Sequence, residues 1–157
     1  MTLDSAFPEN AAARLSVVIP TLDEEFRIGA CLASVGTNPD VEVVVSDGGS
    51  TDATVEIVRS TRRDAVVVNG PPGRGGQLNR GAAAASAARL LFVHADCVLP
   101  AGWFDAVMDA LDDDRCLLAT FRLRTEPGDG RVPGARRRFW LSFFDLRSRG
   151  WALPYGG

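Results

Sequence analysis

Four short apolar runs, the first three rich in β-branched residues, each followed at once by a polar or glycine-rich cluster and then by a helical pattern, constrain this chain more than any other feature. Leu15-Ser16-Val17-Val18-Ile19, Val41-Glu42-Val43-Val44-Val45, Ala65-Val66-Val67-Val68 and Leu90-Leu91-Phe92-Val93 are almost continuous in apolar residues. Strands buried on both faces read this way. Pro20 is expected to stop the first, and Thr21 or Asp23 to cap a helix in which Phe26, Ile28, Cys31, Leu32 and Val35 recur, with Gly36 at its end. Further helices are expected over 53–61, 74–88 and 101–111. Strands alternating with helices at this spacing require βαβ crossovers, so the expected fold class is α/β: a mainly parallel central sheet with helices on both faces. Ligands of such sheets sit at the carboxyl ends of the strands, and each polar cluster here follows a strand directly.

A chain of 157 residues, 46% apolar and 24% charged, carries enough hydrophobic material for one core without staples, which excludes a disordered chain. The net charge of −3 provides no general basic field, so nucleic acid is not an expected partner. All 17 basic residues are Arg, so a bound diphosphate would be held by Arg, backbone amides or a metal. Cys31, Cys97 and Cys116 form no CxxC pair, which points to a reducing compartment. Residues 1–10 carry Asp4 and Glu9 and no apolar core of a secretory signal, and no apolar run approaches the ~20 residues of a membrane span, so a cytoplasmic chain is expected. One domain over 1–157 is expected, with 15–112 as a ligand-binding part and 113–157 as the start of a second part. In that later part, 116–121 reads as a strand, 126–134 as a Gly/Pro-rich loop and 135–149 as an amphipathic helix. Arg136-Arg137-Arg138-Phe139-Trp140 fits a solvated face beside a core face, with peripheral contact to an anionic membrane as the other reading; homo-oligomerisation stays open.

Four clusters can carry chemistry. Asp47-Gly48-Gly49-Ser50-Thr51-Asp52 closes the second strand, where the glycines let backbone approach a ligand and Asp47 can accept from the amide or imide edge of a base. Asp52 suits a helix N-terminus. His94-Ala95-Asp96 closes the fourth strand, where Asp96 offers hard oxygen to a divalent cation whose other ligands are diphosphate and water. Gly73-Arg74-Gly75-Gly76-Gln77-Leu78-Asn79-Arg80-Gly81 places glycines and a basic side chain at a helix start, a natural anion site. It lacks the Gly-Lys-Ser/Thr ending of a Walker A loop and the third glycine of a dinucleotide fingerprint. Finally, Pro20-Thr21-Leu22-Asp23-Glu24-Glu25 sets three acids in a row, of which Asp23 or Glu25 can reach a ribose hydroxyl.

Together, these clusters and the strands before them resemble the family 2 glycosyltransferases of GT-A fold, a Rossmann-like nucleotide-diphospho-sugar transferase architecture, in order and spacing over residues 15 to about 105. The His-Ala-Asp form and Leu99-Pro100 are most similar to a bacterial subgroup linked to arsenosugar biosynthesis. The resemblance implies transfer of a sugar, with inversion, from a nucleotide sugar (a UDP-sugar first) to an acceptor hydroxyl, assisted by Mn²⁺ or Mg²⁺. It implies that Pro20, Thr21 and Glu25 line the nucleoside pocket and that Asp47 binds the base. Arg74 and Asn79 would lie near the base or diphosphate, Asp96 would carry the metal, and His94 stands where many relatives have a first acid. The general base of relatives is an acid later in the domain, where the subgroup reads Tyr-Gly-Asp-Gln and this chain reads Tyr155-Gly156-Gly157. Asp145, Asp129 and Glu126 are the acids left to consider, and a nucleotide-binding module without transferase activity is the alternative reading.

Overall fold

In the computed structural model, which describes residues 13–112 together with 116, 120 and 121, the β-branched runs form β1 (Leu15–Thr21), β2 (Val41–Asp47), β3 (Val66–Asn69) and β4 (Leu90–Phe92). Helices α1 (Ile28–Val35), α2 (Thr54–Thr61), α3 (Arg74–Ala84) and α4 (Trp103–Leu111) follow them in turn. The chain divides into two compact units, 1–103 and 104–157. The first holds all four strands. In the second, α4 runs on to Leu111, and positions 116, 120 and 121 lie outside regular structure, so the strand expected over 116–121 is absent at those positions. The loop and helix expected beyond it lie outside the described residues. No helix among the described residues is long and apolar enough to cross a membrane.

The sheet is all-parallel in the order β3-β2-β1-β4. Right-handed crossovers then dictate the layers. The steps from β1 to β2 and from β2 to β3 run one way, which puts α1 and α2 on one face, where they pack together. The step from β3 to β4 runs back across β1, which puts α3 on the other face, over β1, β2 and β3. Strand periodicity agrees: Val18 and Ser46 face α3, while Val17, Ile19, Val43 and Val45 face the opposite way, and all are at most 1% exposed. Helix α3 lies so close to β1 that a Cβ on Gly81 would come within 2.3 Å of Val18 Cγ1, so no larger residue fits there without movement.

Several boundaries differ from the sequence expectation, three of them for a physical reason that bears on the site. Pro20 does not stop β1, which continues to Thr21. Ser16 and Val18 bond toward β4, so the next residue on that side is Pro20, and the β4 ladder has already ended at Val18↔Phe92; its missing N–H therefore breaks no pair. Helix α1 begins at Ile28 and is capped by neither Thr21, which lies in β1, nor Asp23, whose carboxylate accepts from Thr51 N–H at 2.8 Å. Phe26, expected on the apolar face of that helix, is 80% exposed. Helix α3 ends at Ala84 because the N–H groups of Ser86 and Ala87 turn to Glu42 Oε2 (2.8 Å) and Ser16 Oγ (3.1 Å). Those two side chains also bond each other, at 2.5 Å, closing the sheet edge opposite the polar clusters.

Candidate functional site

At β1 the strand order reverses, with β2 and β3 on one side and β4 on the other. Parallel sheets open a crevice at such a switch point, outside the carboxyl ends of the strands. A cavity of about 150 Å³ lies there, lined by Pro20, Thr21, Leu22, Glu24, Arg74, Gln77, His94, Ala95 and Asp96. Of the residues singled out in the sequence, Pro20, Thr21, Arg74, His94 and Asp96 are thus brought together. Glu25, Asp47 and Asn79 are not among the lining residues.

The β2 side of the crevice is held by a clasp between two loops. From the loop after β1, Asp23 N–H donates to Ser50 Oγ (3.0 Å), Glu24 N–H to Thr54 Oγ1 (2.8 Å) and Glu25 N–H to Asp52 Oδ2 (3.1 Å). In return Thr51 N–H donates to Asp23 Oδ1 and Ala53 N–H to Glu25 Oε2 (3.1 Å). Asp23 makes the turn possible with a φ of 52°, a left-handed value that Asp tolerates better than most residues. The first and third acids of the run therefore bond the second loop, and the middle one, Glu24, lines the crevice, where it also pairs with Arg27 at 3.3 Å. Asp52 accepts from both Thr54 N–H (3.0 Å) and Thr54 Oγ1 (2.5 Å), ahead of α2. Desolvation pushes its carboxyl up, but these bonds and the one from Glu25 N–H outweigh it and hold the group below the usual carboxylate range.

Asp47, the last residue of β2, is 3% exposed and has both carboxylate oxygens engaged inside the protein. Oδ2 accepts from Gly49 N–H (2.9 Å) and Ser50 N–H (3.0 Å), and Oδ1 from Ser50 Oγ (2.5 Å) and Thr21 Oγ1 (3.3 Å). A carboxylate has about four acceptor sites, and these contacts fill them. The β4 side is built differently. Asp96 is exposed, and among the described residues its carboxylate touches only the Cys97 thiol, at 3.6 Å. Its turn is anchored through the backbone: His94 O accepts from Cys97 N–H (2.9 Å) and from the Cys31 thiol (3.6 Å) of α1. Burial, with Cys97 and Asp96 nearby, pushes the Cys31 thiol up to about 12, so it remains a neutral donor.

Helix α3 forms the third wall. Arg74 opens it and lines the crevice, and the N–H groups of a helix's first turn lack intrahelical partners and carry a partial positive charge. Arg80 instead ties down the preceding loop, donating to Pro71 O at 2.9 Å. Asn79 is exposed on the helix. Gln77, which sequence reasoning left without a role, is 5% exposed and bonds Thr21 O, Ser46 O and Gly73 N–H. A trace of it in the sequence is Gly48, where a Cβ would lie 3.0 Å from the Gln77 Nε2.

Comparison with known proteins decides the family. The model of Glycosyl transferase family 2 matches residues 16–155. The chain belongs to this family. Among curated family relatives, the PGL/p-HBAD biosynthesis glycosyltransferase of Mycobacterium tuberculosis is 33% identical over 147 residues, 87% of this chain and 54% of that protein. Glucosyl-3-phosphoglycerate synthase of Mycolicibacterium paratuberculosis is 37% identical over 101 residues, 57% of this chain and 30% of that protein. The chain thus spans about half the length, or less, of the curated relatives it matches. Among solved structures, TarS 1-349 of S. aureus in complex with UDP-GlcNAc superposes with a TM-score of 0.56 at 27% identity, over 63% of this chain and 31% of that one. The parallel α/β sheet with its helices is therefore the GT-A fold.

For a family 2 chain, the donor set at the crevice can be tested against a divalent cation. Among the described residues no group of three His, Cys, Asp or Glu side chains is placed to cage a metal. Mg²⁺ and Mn²⁺ at diphosphates are commonly held by one or two carboxylates plus phosphate oxygens and water, and the exposed Asp96 fits that requirement. Glu126, Asp129 and Asp145, the acids considered for the general base, lie outside the described residues, as do Arg136–Trp140 and Tyr155–Gly157.

Proposed function

We propose that this chain is the donor-binding part of an inverting, metal-assisted glycosyltransferase that takes a UDP-sugar. The observation that carries the reading is the convergence of Thr21, Glu24, Arg74, His94 and Asp96 on the crevice at the β1/β4 switch point of a family 2 fold. UDP is favoured because the TarS structure holds UDP-GlcNAc. The nucleoside lies against Pro20, Thr21 and the adjoining loop, with Glu24, rather than the clasp-bound Glu25, offering its carboxylate to the ribose hydroxyls. Asp47 acts at the base end, where an incoming imide replaces the Ser50 hydroxyl on Oδ1.

Arg74 and the N-terminal amides of α3 orient the diphosphate, and Asp96 holds the cation. Such a cation neutralises charge developing on a leaving diphosphate. His94 flanks the same turn and fixes the register of Asp96. The acceptor hydroxyl requires a base, for which Asp145, Asp129 and Glu126 are the first candidates. The acceptor itself is a hydroxyl compound whose class the donor crevice does not specify. The His-Ala-Asp form of the β4 turn supports kinship with the arsenosugar-linked subgroup as part of this reading.

Calorimetry with UDP, with and without Mn²⁺, tests the proposal. Binding that strengthens with Mn²⁺ and exceeds that of GDP is the expected result; no heat of binding with either nucleotide overturns it.

A further inference from the structure

We infer that Gln77 is a positioning residue that sets the width of the donor crevice. The inference rests on the donor reading above and extends it to a side chain that touches neither the reacting atoms nor the metal. Its carboxamide joins three segments. Nε2 donates to Thr21 O at 2.7 Å and to Ser46 O at 3.1 Å, the end of β1 and the penultimate residue of β2. Oε1 accepts from Gly73 N–H at 3.3 Å, immediately before α3. Two carbonyls on one atom and an N–H on the other leave a single orientation of the amide consistent with this network.

The consequence is geometric. Thr21 stands on the strand wall of the crevice and Arg74 on the helix wall, three residues before Gln77. Gln77 is a direct polar link between these walls, so one buried side chain holds the spacing of Thr21 and Arg74 at the crevice end of the helix, beyond the close Gly81–Val18 packing. The fit around it is tight: a Cβ on Gly48 would lie 3.0 Å from Nε2, 3.1 Å from Cδ and 3.3 Å from Pro72 Cα. Glycine at 48 therefore leaves the amide its place. A ligand that bridges the two walls is bound well only at the spacing the amide imposes.

Gln77→Glu keeps the shape but removes the donors and sets a carboxylate against two carbonyl oxygens. Gln77→Met keeps the volume and removes the amide's bonds to both carbonyls, while Thr21 O keeps its bond from Gly48 N–H. Gly48→Ala leaves Gln77 in the chain but crowds the amide. Each is measured by calorimetry with UDP and Mn²⁺ well below its melting temperature, alongside hydrogen exchange of the full chain. The expected result is a loss of affinity of roughly tenfold or more in Gln77→Glu, and smaller losses in the other two. Faster exchange should be confined to Gly73 and to the adjoining ends of β1 and β2, with β3 and the rest of the sheet unmoved, a pattern that general destabilisation does not give.

Wild-type binding with unchanged affinity in Gln77→Glu overturns the positioning role alone. Faster exchange throughout the sheet in both Gln77→Met and Gly48→Ala also overturns it, in favour of a core role. A wild-type chain that binds no nucleotide fells this inference together with the donor reading.

Discussion

The two sides of the crevice end in an acid apiece, and the acids are treated oppositely. At the β2 end, Asp47 is buried and bonded on both oxygens, inside two loops that cap each other. At the β4 end, Asp96 is exposed, on a turn held through the His94 carbonyl by Cys97 N–H and the Cys31 thiol. The first acid organises protein, whereas the second is left to organise something else. A carboxylate whose acceptor sites are filled internally stabilises the fold and meets a ligand only by exchanging a partner. One left in water contributes little to folding and keeps its charge for binding.

Asp96→Ala strikes that contrast hardest. UDP affinity in the presence of Mn²⁺ should fall by at least the roughly 10–100-fold that loss of an outer partner of a metal ligand costs. Thermal stability should stay within the small range of an ordinary surface change, about 0.5 kcal/mol either way. Unchanged affinity on calorimetry removes Asp96 from the metal and makes the two corners alike.

Asp47→Ala should do the reverse, costing about 2 kcal/mol of stability by stripping the partner from the Gly49 and Ser50 N–H groups and the Thr21 and Ser50 hydroxyls, seen as a lower urea midpoint at unchanged slope. Its effect on recognition sharpens the picture further. If the variant still prefers UDP over GDP as the wild type does, Asp47 serves the turn alone; a flattened preference places it at the base.

The smallest effect concerns Asp52, at the outer rim of the clasp. Its carboxyl lies below the usual range in the folded chain, so its contribution is present above the ordinary carboxylate pKa of about 3.9 and is lost as pH falls through the lower folded value. The stability gap between wild type and Asp52→Asn, read from urea midpoints, should therefore be widest near neutral pH and narrow below pH ~4. A gap that stays constant with pH would mean that charge at Asp52 plays no part in the clasp.

How much of this was legible beforehand differs between the same two regions. The strands were plain, because β-branched runs closed by Gly-rich turns admit few other readings, and their parallel pairing placed Asp47 and Asp96 on one edge. The direction of each side chain in the clasp was not. Asp23, Glu24 and Glu25 are chemically near-equivalent in sequence, and only the left-handed turn at Asp23 decides that the middle one lines the crevice. Gln77 left still less trace, since a neutral amide in an Ala- and Gly-rich helix breaks no pattern and its partners are main-chain atoms of distant residues. Pro20 misleads for the opposite reason: its local meaning as a stop is strong, but a strand with one unpaired side can carry it.

Pro20 also has a bearing on how the crevice survives at all. A growing parallel sheet tends to zip onward wherever two neighbouring strands still offer main-chain groups, and the segment after Phe92 begins that way, with Val93 N–H reaching Val18 O at 3.0 Å. The next group on β1 to meet it would be the nitrogen of residue 20, which in proline has no hydrogen to give. Zippering therefore halts one step short of the turn that bears Asp96, and solvent enters where a further rung would have formed. An imide nitrogen thus draws the border between the part of the molecule that is sheet and the part that is vestibule.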